Sequence, residues 1–317
     1  MRIKSIIRGL KLSLLCSVAL FSLTDANAQQ EPLYTQYMFN TISVNPGYTG
    51  TRNALNMVFL SRLQWVGLEG APRTNTFSMH TPILNQKMGV GFSVVDDNIG
   101  PVHNSYIAVD YAYKINLSSD IILSMGLKGG IYNYYAGLQD VFLGNPNVDP
   151  SFYGNLEQKL QPNAGVGFYL YSNKYYAGFS VPSIIEATLS DYQESGTTPN
   201  SLKRHYFIMG GYVFDLGTEW KFKPAFIEKI VTGAPISTDL TAHFIYHNTY
   251  WMGMTYRVGD AISLLLELQV TRQLLVGYSY DYTLSNISSY SNGSHEIIIS
   301  YDFDGFVKDK VKSPRFF

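Results

Sequence analysis

From Ala261 to Tyr282 the chain alternates with a period of two, not 3.6. Ile262, Leu264, Leu266, Leu268 and Val270 fall on one face of an extended strand, with Ser263, Leu265, Glu267 and Gln269 on the other. After the turn at Thr271, Arg272 and Gln273 the pattern restarts. Leu274, Val276, Tyr278, Tyr280 and Tyr282 share one face, opposite Leu275, Gly277, Ser279 and Asp281. Two successive strands therefore carry one apolar face ending in tyrosines and one face of mostly small or polar residues. A soluble sandwich also alternates, so the question is whether protein or lipid covers the apolar face.

Fourteen such segments follow one another between Asn53 and Phe303. Clear ones set Met88, Val90, Phe92 and Val94 against Gly89, Gly91 and Ser93, and Ile121, Leu123, Met125 and Leu127 against Ser124, Gly126 and Lys128. Weaker ones lie at 73–81, 204–214 and 219–229, and Pro224 is a warning in the last because proline cannot donate to a ladder. The connections sort by parity. Even ones are tight, such as 215–218, 247–249 and 271–273; most odd ones are long, at 63–72, 96–103, about 133–161, 182–203 and 283–294. The eleventh, around Gly259 and Asp260, breaks the rule. A bilayer-spanning barrel has this asymmetry, with short periplasmic turns and long outer loops, whereas a sandwich has no reason to sort its loops. Unpaired backbone groups in hydrocarbon cost several kcal/mol each, so such a sheet must close. The expected fold is an all-β transmembrane antiparallel β-barrel of about 14 strands, with an N-terminal non-strand segment in or against the lumen.

The N-terminus gives the route to that membrane. Arg2, Lys4, Arg8 and Lys11 precede an apolar run from Leu12 to Leu23, and Ala26, Asn27 and Ala28 form an A-x-A site, as in a signal peptide spanning residues 1–28. That run is too short for a spanning helix, which needs about 20 residues. Residues 29–52, rich in Tyr, Asn and Pro, lack sustained alternation and are expected to plug the lumen, 53–303 to form the barrel, and 304–317 to be a periplasmic tail. The only cysteine, Cys16, lies inside the apolar run, so no disulfide stabilises the rest. Past residue 28 there are 19 basic and 23 acidic residues, which gives no sign of a nucleic-acid partner. The 25 tyrosines and 18 phenylalanines instead suit interfacial girdles and contact with outer-membrane lipid.

No constellation makes an active site, and no cofactor is implied. Ser294, His295 and Glu296 are adjacent, but on a strand His295 points away from the other two. His80, His103, His205 and His243 have no zinc-binding context. Arg62, Asp110, Lys128, Arg257 and Glu267 are expected to form a polar network in the lumen, since a basic residue on the lipid face at midplane costs about 2–4 kcal/mol. Gly89, Gly91, Gly126, Gly130, Gly165, Gly167 and Gly178 on the inward faces have two readings: close approach of something within the lumen, or relief of crowding. In the first outer loop Trp65, Leu68 and Pro72, with Arg73 beside them, make an apolar stretch that is either a partner-binding site or a lid over the mouth.

Several segments in order resemble the PorP/SprF family of the type IX secretion system of the Bacteroidota: PLYTQYMFN and NPGYTGT (32–51), RLQWVGLEGAPRTNTFSMHTPI (62–83), GAPISTDL (233–240), YRVGDAISLLL (256–266), GYSYDYTLS (277–285) and GSHEIIISYDF (293–303). The tail Ser313, Pro314, Arg315, Phe316 is similar to that family's ending. The resemblance implies a barrel without enzymatic activity in the outer membrane of a diderm bacterium. Its implied partners are exported cargo, including adhesins with type B C-terminal domains, and periplasmic or outer-membrane secretion components, some of which bind peptidoglycan. Without the resemblance, a channel or transporter for small or hydrophobic solutes is the competing reading.

Overall fold

Alternating β-branched, aromatic and small residues favour extended backbone, and every alternating segment is a strand in the computed structural model. The structure describes residues 32–137, 156–186, 203–303 and 316, with the backbone alone at 156–159. The expected signal peptide, most of the loops 133–161 and 182–203, and the tail apart from Phe316 lie outside the described residues.

The strands are β1 (Leu55–Leu63), β2 (Arg73–Ile83), β3 (Met88–Ile99), β4 (Val102–Asn116), β5 (Ile122–Ala136), β6 (Leu156–Tyr171) and β7 (Tyr175–Val181). The next, β8, runs His205–Tyr212 and resumes as Phe214–Leu216. Then come β9 (Trp220–Val231), β10 (Ser237–Tyr246), β11 (Tyr250–Arg257), β12 (Ala261–Gln269), β13 (Leu274–Thr283) and β14 (Ser294–Phe303). The two pieces of β8 keep one register against β9, Gly211 opposite Ala225 and Phe214 opposite Phe222. The ladder lapses between them where Pro224 has no N–H to give. Each strand pairs antiparallel with its sequence neighbours, and β1 pairs with β14 from Leu55–Phe303 to Leu63–His295, so the 14 strands close into a ring.

Which side is oily decides between lipid and protein. On β4, Ile107 and Val109 are 52% and 60% exposed while Ala108 and Asp110 between them are 1% and 4% exposed. The same inversion holds on β12, where Ile262, Leu264, Leu266 and Leu268 face outward and Ser263, Leu265 and Glu267 are buried. An apolar outer surface around a polar interior is the arrangement of a barrel in a bilayer. Strands of 8–10 residues such as β11, β1 and β13 match the length of a tilted crossing. The tight turns 84–87, 117–121, 172–174, 217–219, 247–249 and 270–273 gather with Leu55 and Phe303 at one end, which identifies it as periplasmic.

One expected outer loop is absent. The sequence reading places a long connection at 96–103, but β3 and β4 pair out to Ile99–Val102 and turn through Gly100 and Pro101. Polar residues there, Asp96, Asp97, Asn98 and Asn104, masked the strand: above the bilayer neither face needs to be oily, so the periodic signal fades while the ladder continues. The polar run Glu157, Gln158 and Lys159 likewise hides the start of β6 at Leu156, and β5 runs to Ala136, both inside the span read as loop.

Candidate functional site

The lumen is filled by the chain's own N-terminal segment, residues 34–50, nearly all of it buried. Three single turns give it shape: a 3-10 turn at Tyr37–Phe39, an α-turn at Thr41–Val44 and a 3-10 turn at Pro46–Tyr48. The last is capped by Asn45, whose side chain accepts from Gly47 N at 2.8 Å, with Pro46 in the position where its missing N–H costs nothing. Tyr37, Met38, Phe39, Ile42 and Tyr48 pack against inward residues of the wall, including Tyr169, Tyr176, Phe207, Trp251, Leu265 and Ile298.

A run of polar contacts fixes this plug from the outer to the periplasmic end. Near the outer rim, Arg62 donates to Asp281 at 2.7 Å, to Glu296 at 3.1 Å and to the Thr35 hydroxyl at 3.0 Å. Glu296 in turn accepts the backbone N–H groups of Thr35 and Gln36 at 3.0 and 2.8 Å. At mid-depth Asn40 bridges Thr76 and Ser78, Lys128 donates to the carbonyls of Ile42 and Ser43, and Asn45 donates to Phe168 O. At the periplasmic end Gly50 N donates to His80, Lys114 donates to the Gly50 carbonyl, and Arg52 pairs with Asp302 at 3.1 Å. A buried charge is tolerable only when paired and hydrogen-bonded, and here the plug's backbone supplies many of the partners.

The inward glycines divide between the two readings. A Cβ on Gly126 would lie 2.2 Å from the Pro46 carbonyl carbon, and one on Gly89 2.3 Å from Thr49 O. Gly91, Gly167 and Gly178 likewise face Ile42 or Asn45 of the plug, whereas Gly130 faces the Tyr106 ring and Gly165 faces Pro182. Five glycines therefore admit the plug, and two relieve crowding from the wall itself.

The five residues expected to form one lumen network are all inward and buried; by direct contact they fall into four groups, with Asp281 acting electrostatically on both Arg62 and Arg257. Arg62 belongs to the outer-rim cluster with Asp281 and Glu296. Lys128 lies 3.6 Å from Asp110. Arg257 forms a two-pronged pair with Asp239 at 2.9 and 2.8 Å. Glu267 sits 3.5 Å from His243. The expected network did not include Asp239, Asp281 or Glu296, the carboxylates that pair with Arg257 and Arg62, although strand parity puts Asp281 on the inward face with Gly277 and Ser279. Among the described residues no group of three His, Cys, Asp or Glu is placed to hold a metal.

A sequence profile described as "Type IX secretion system membrane protein PorP/SprF" matches residues 26–301. The chain belongs to the PorP/SprF family. No curated protein matches it. Solved structures similar to it include the outer membrane protein Omp33 of Acinetobacter baumannii, at 8% identity and TM-score 0.47, with 80% of this chain and 100% of that one covered. The Ralstonia pickettii toluene transporter TbuX, at 9% identity and TM-score 0.46, covers 83% and 93%.

The first outer loop of this PorP/SprF chain does not stand free. Val66 N donates to Gly293 O and Asn292 N to Val66 O, at 2.8 and 2.7 Å, and Trp65 N donates to the Ser294 hydroxyl at 3.0 Å. Gly100 N reaches Gly70 O at 2.9 Å on the other side. The loop is thereby laid along the rim over β14, β1 and β2, leaving Trp65, Leu68 and Pro72 half-buried and Arg73 exposed.

Proposed function

We propose that this PorP/SprF chain is a plugged, non-enzymatic outer-membrane barrel that assists the secretion or surface attachment of specific cargo, such as adhesins with type B C-terminal domains. The observation that carries the reading is the occupied lumen. A barrel whose interior is taken up by its own residues 34–50, pinned by Arg62, Lys128, Lys114 and Arg52, offers surfaces to other proteins instead of a passage. On this reading the chain reaches the outer membrane after loss of residues 1–28. The outer loops face the exported cargo, with Trp65, Leu68, Pro72 and Arg73 on the first of them, which is hydrogen-bonded along the rim. The turns and the segment 304–317 face periplasmic or outer-membrane secretion components, among them any that bind peptidoglycan.

Deleting the gene is expected to abolish surface display of a co-encoded adhesin, measured by antibody labelling of intact cells, and restoring the chain to recover it. Normal display in the deletion strain removes the proposal. Steady conductance of the purified chain in planar bilayers, or solute uptake restored in a deficient strain, would favour a channel or transporter instead.

A further inference from the structure

The periplasmic mouth contains a cavity of about 810 Å³, within the range of ligand sites. Its walls come from the turns after β2, β4 and β6 and from the end of the plug, through residues including Asn85, Lys87, Lys114, Tyr171 and Asn173. Among the described residues its charged lining consists of two cations, Lys87 and Lys114, and one further lining residue comes from outside the barrel wall and the plug: Phe316.

Phe316 is seated, not merely nearby. Its carbonyl accepts a hydrogen bond from Lys223, whose side chain is fully buried in the wall. Its ring lies 6.1 Å from that of Trp251, tilted by 36°, and the Lys221 ammonium stands 5.2 Å from the ring centre. Lys223 also lies over the rings of Phe39 and Trp251, at 5.9 and 5.5 Å, so one buried cation joins plug, wall and incoming segment. The seat reads two features of a peptide: a main-chain carbonyl and an aromatic side chain. β14 ends at the periplasmic rim at Phe303. The stretch from there to Phe316 can extend roughly 40 Å, ample to cross the mouth from β14 to β9 and β11.

We propose that the periplasmic mouth is a binding site for a peptide segment bearing an aromatic side chain, and that the segment following β14 occupies it in cis through Phe316 as a displaceable ligand. This goes beyond the cargo role and does not depend on it. The seat combines a desolvated ammonium, an indole face and a second cation over the ring, which together discriminate an aromatic peptide from an aliphatic one. The adjoining cavity gives room for flanking residues. A periplasmic protein offering the same chemistry would enter by competition with the chain's own segment.

The test uses the full chain in detergent and a fluorescent peptide of residues 308–317. The Phe316→Ala chain is expected to bind the native-sequence peptide saturably, and at least tenfold more tightly than a peptide carrying Phe316→Ala. The unsubstituted chain, its seat filled, should bind the native-sequence peptide at least tenfold more weakly than the Phe316→Ala chain does. Equal affinity for the two peptides, or equal binding by the two chains, overturns the proposal. A second measurement exploits the absence of cysteine after Cys16. With Asn173→Cys at the cavity wall, maleimide labelling should be several-fold faster when Phe316 is replaced by Ala. Lys221→Ala in the otherwise native sequence should raise it in the same direction but by less. Unchanged labelling in both variants also overturns it.

Discussion

Gly126 and Gly129 differ by three positions on β5 and by everything that matters to a side chain. Gly126 points at the Pro46 backbone, which cannot swing aside, while a Cβ on Gly129 would meet nothing within 4 Å. Gly126→Ala is therefore expected to lower stability by about 1–3 kcal/mol, the usual cost of overfilling a packed interior, and Gly129→Ala to be close to neutral. Urea unfolding of the detergent-solubilised protein followed by tryptophan fluorescence measures both; equal midpoints would mean that the plug yields to the wall. The sequence placed Gly126 inward by parity with Ser124 and Lys128, but it could not say what Gly126 faced. The neighbour lies some eighty residues earlier in a stretch with no periodicity.

At the scale of the element, the plug is held less by propensity than by buried charge. Its turns are too short to persist alone, and their backbone groups are satisfied by Glu296, Lys128, Lys114 and His80 of the wall. Arg62→Met removes the cation shared by Asp281, Glu296 and Thr35 and leaves two buried carboxylates behind. Losing one partner of a buried ion pair costs about 3–5 kcal/mol. The outer end of the plug should detach, and protease added outside intact cells should cut between residues 33 and 45 in the variant but not in the native chain. Protection in both would show that the apolar packing of Tyr37, Met38 and Phe39 suffices. The strands were far more legible than the plug, because each carries its own period-two signature. Where that signature failed, at 96–103 and at the outer end of β6, the strand had left the oil and polar residues were free to occupy both faces. Pro224 warned of a flaw in the ladder, and the flaw is confined to one lapse at Val213, with the register intact on both sides.

For the whole molecule, the decisive contact is the seam between the first strand and the last. Leu55 to Leu63 pair residue for residue with Phe303 to His295, joining parts of the chain more than two hundred residues apart. In hydrocarbon each unpaired group along such an edge costs several kcal/mol, so closure is not optional. Ile298→Pro, opposite Leu60, removes an N–H and places a ring in the ladder. The folded form that migrates faster on an unheated gel should disappear, whereas Ile298→Val should keep it. A Pro variant that still migrates as the folded form would mean that the ring tolerates a break at its seam.

Alternation and loop parity by themselves determined a closed antiparallel barrel of fourteen strands, an oily exterior, and the inward side of Arg62, Asp110, Lys128, Arg257 and Glu267, because each follows from the two-residue repeat of extended backbone in a solvent that satisfies no hydrogen bonds. The pairing of those residues, the split of one expected network into four groups, the fit of residues 34–50 against Gly89, Gly126 and Gly167, and the seat of Phe316 on Lys223 were decided only by the tertiary structure. Those contacts join segments remote in sequence across a shared interior, and distances of that kind leave no period to read.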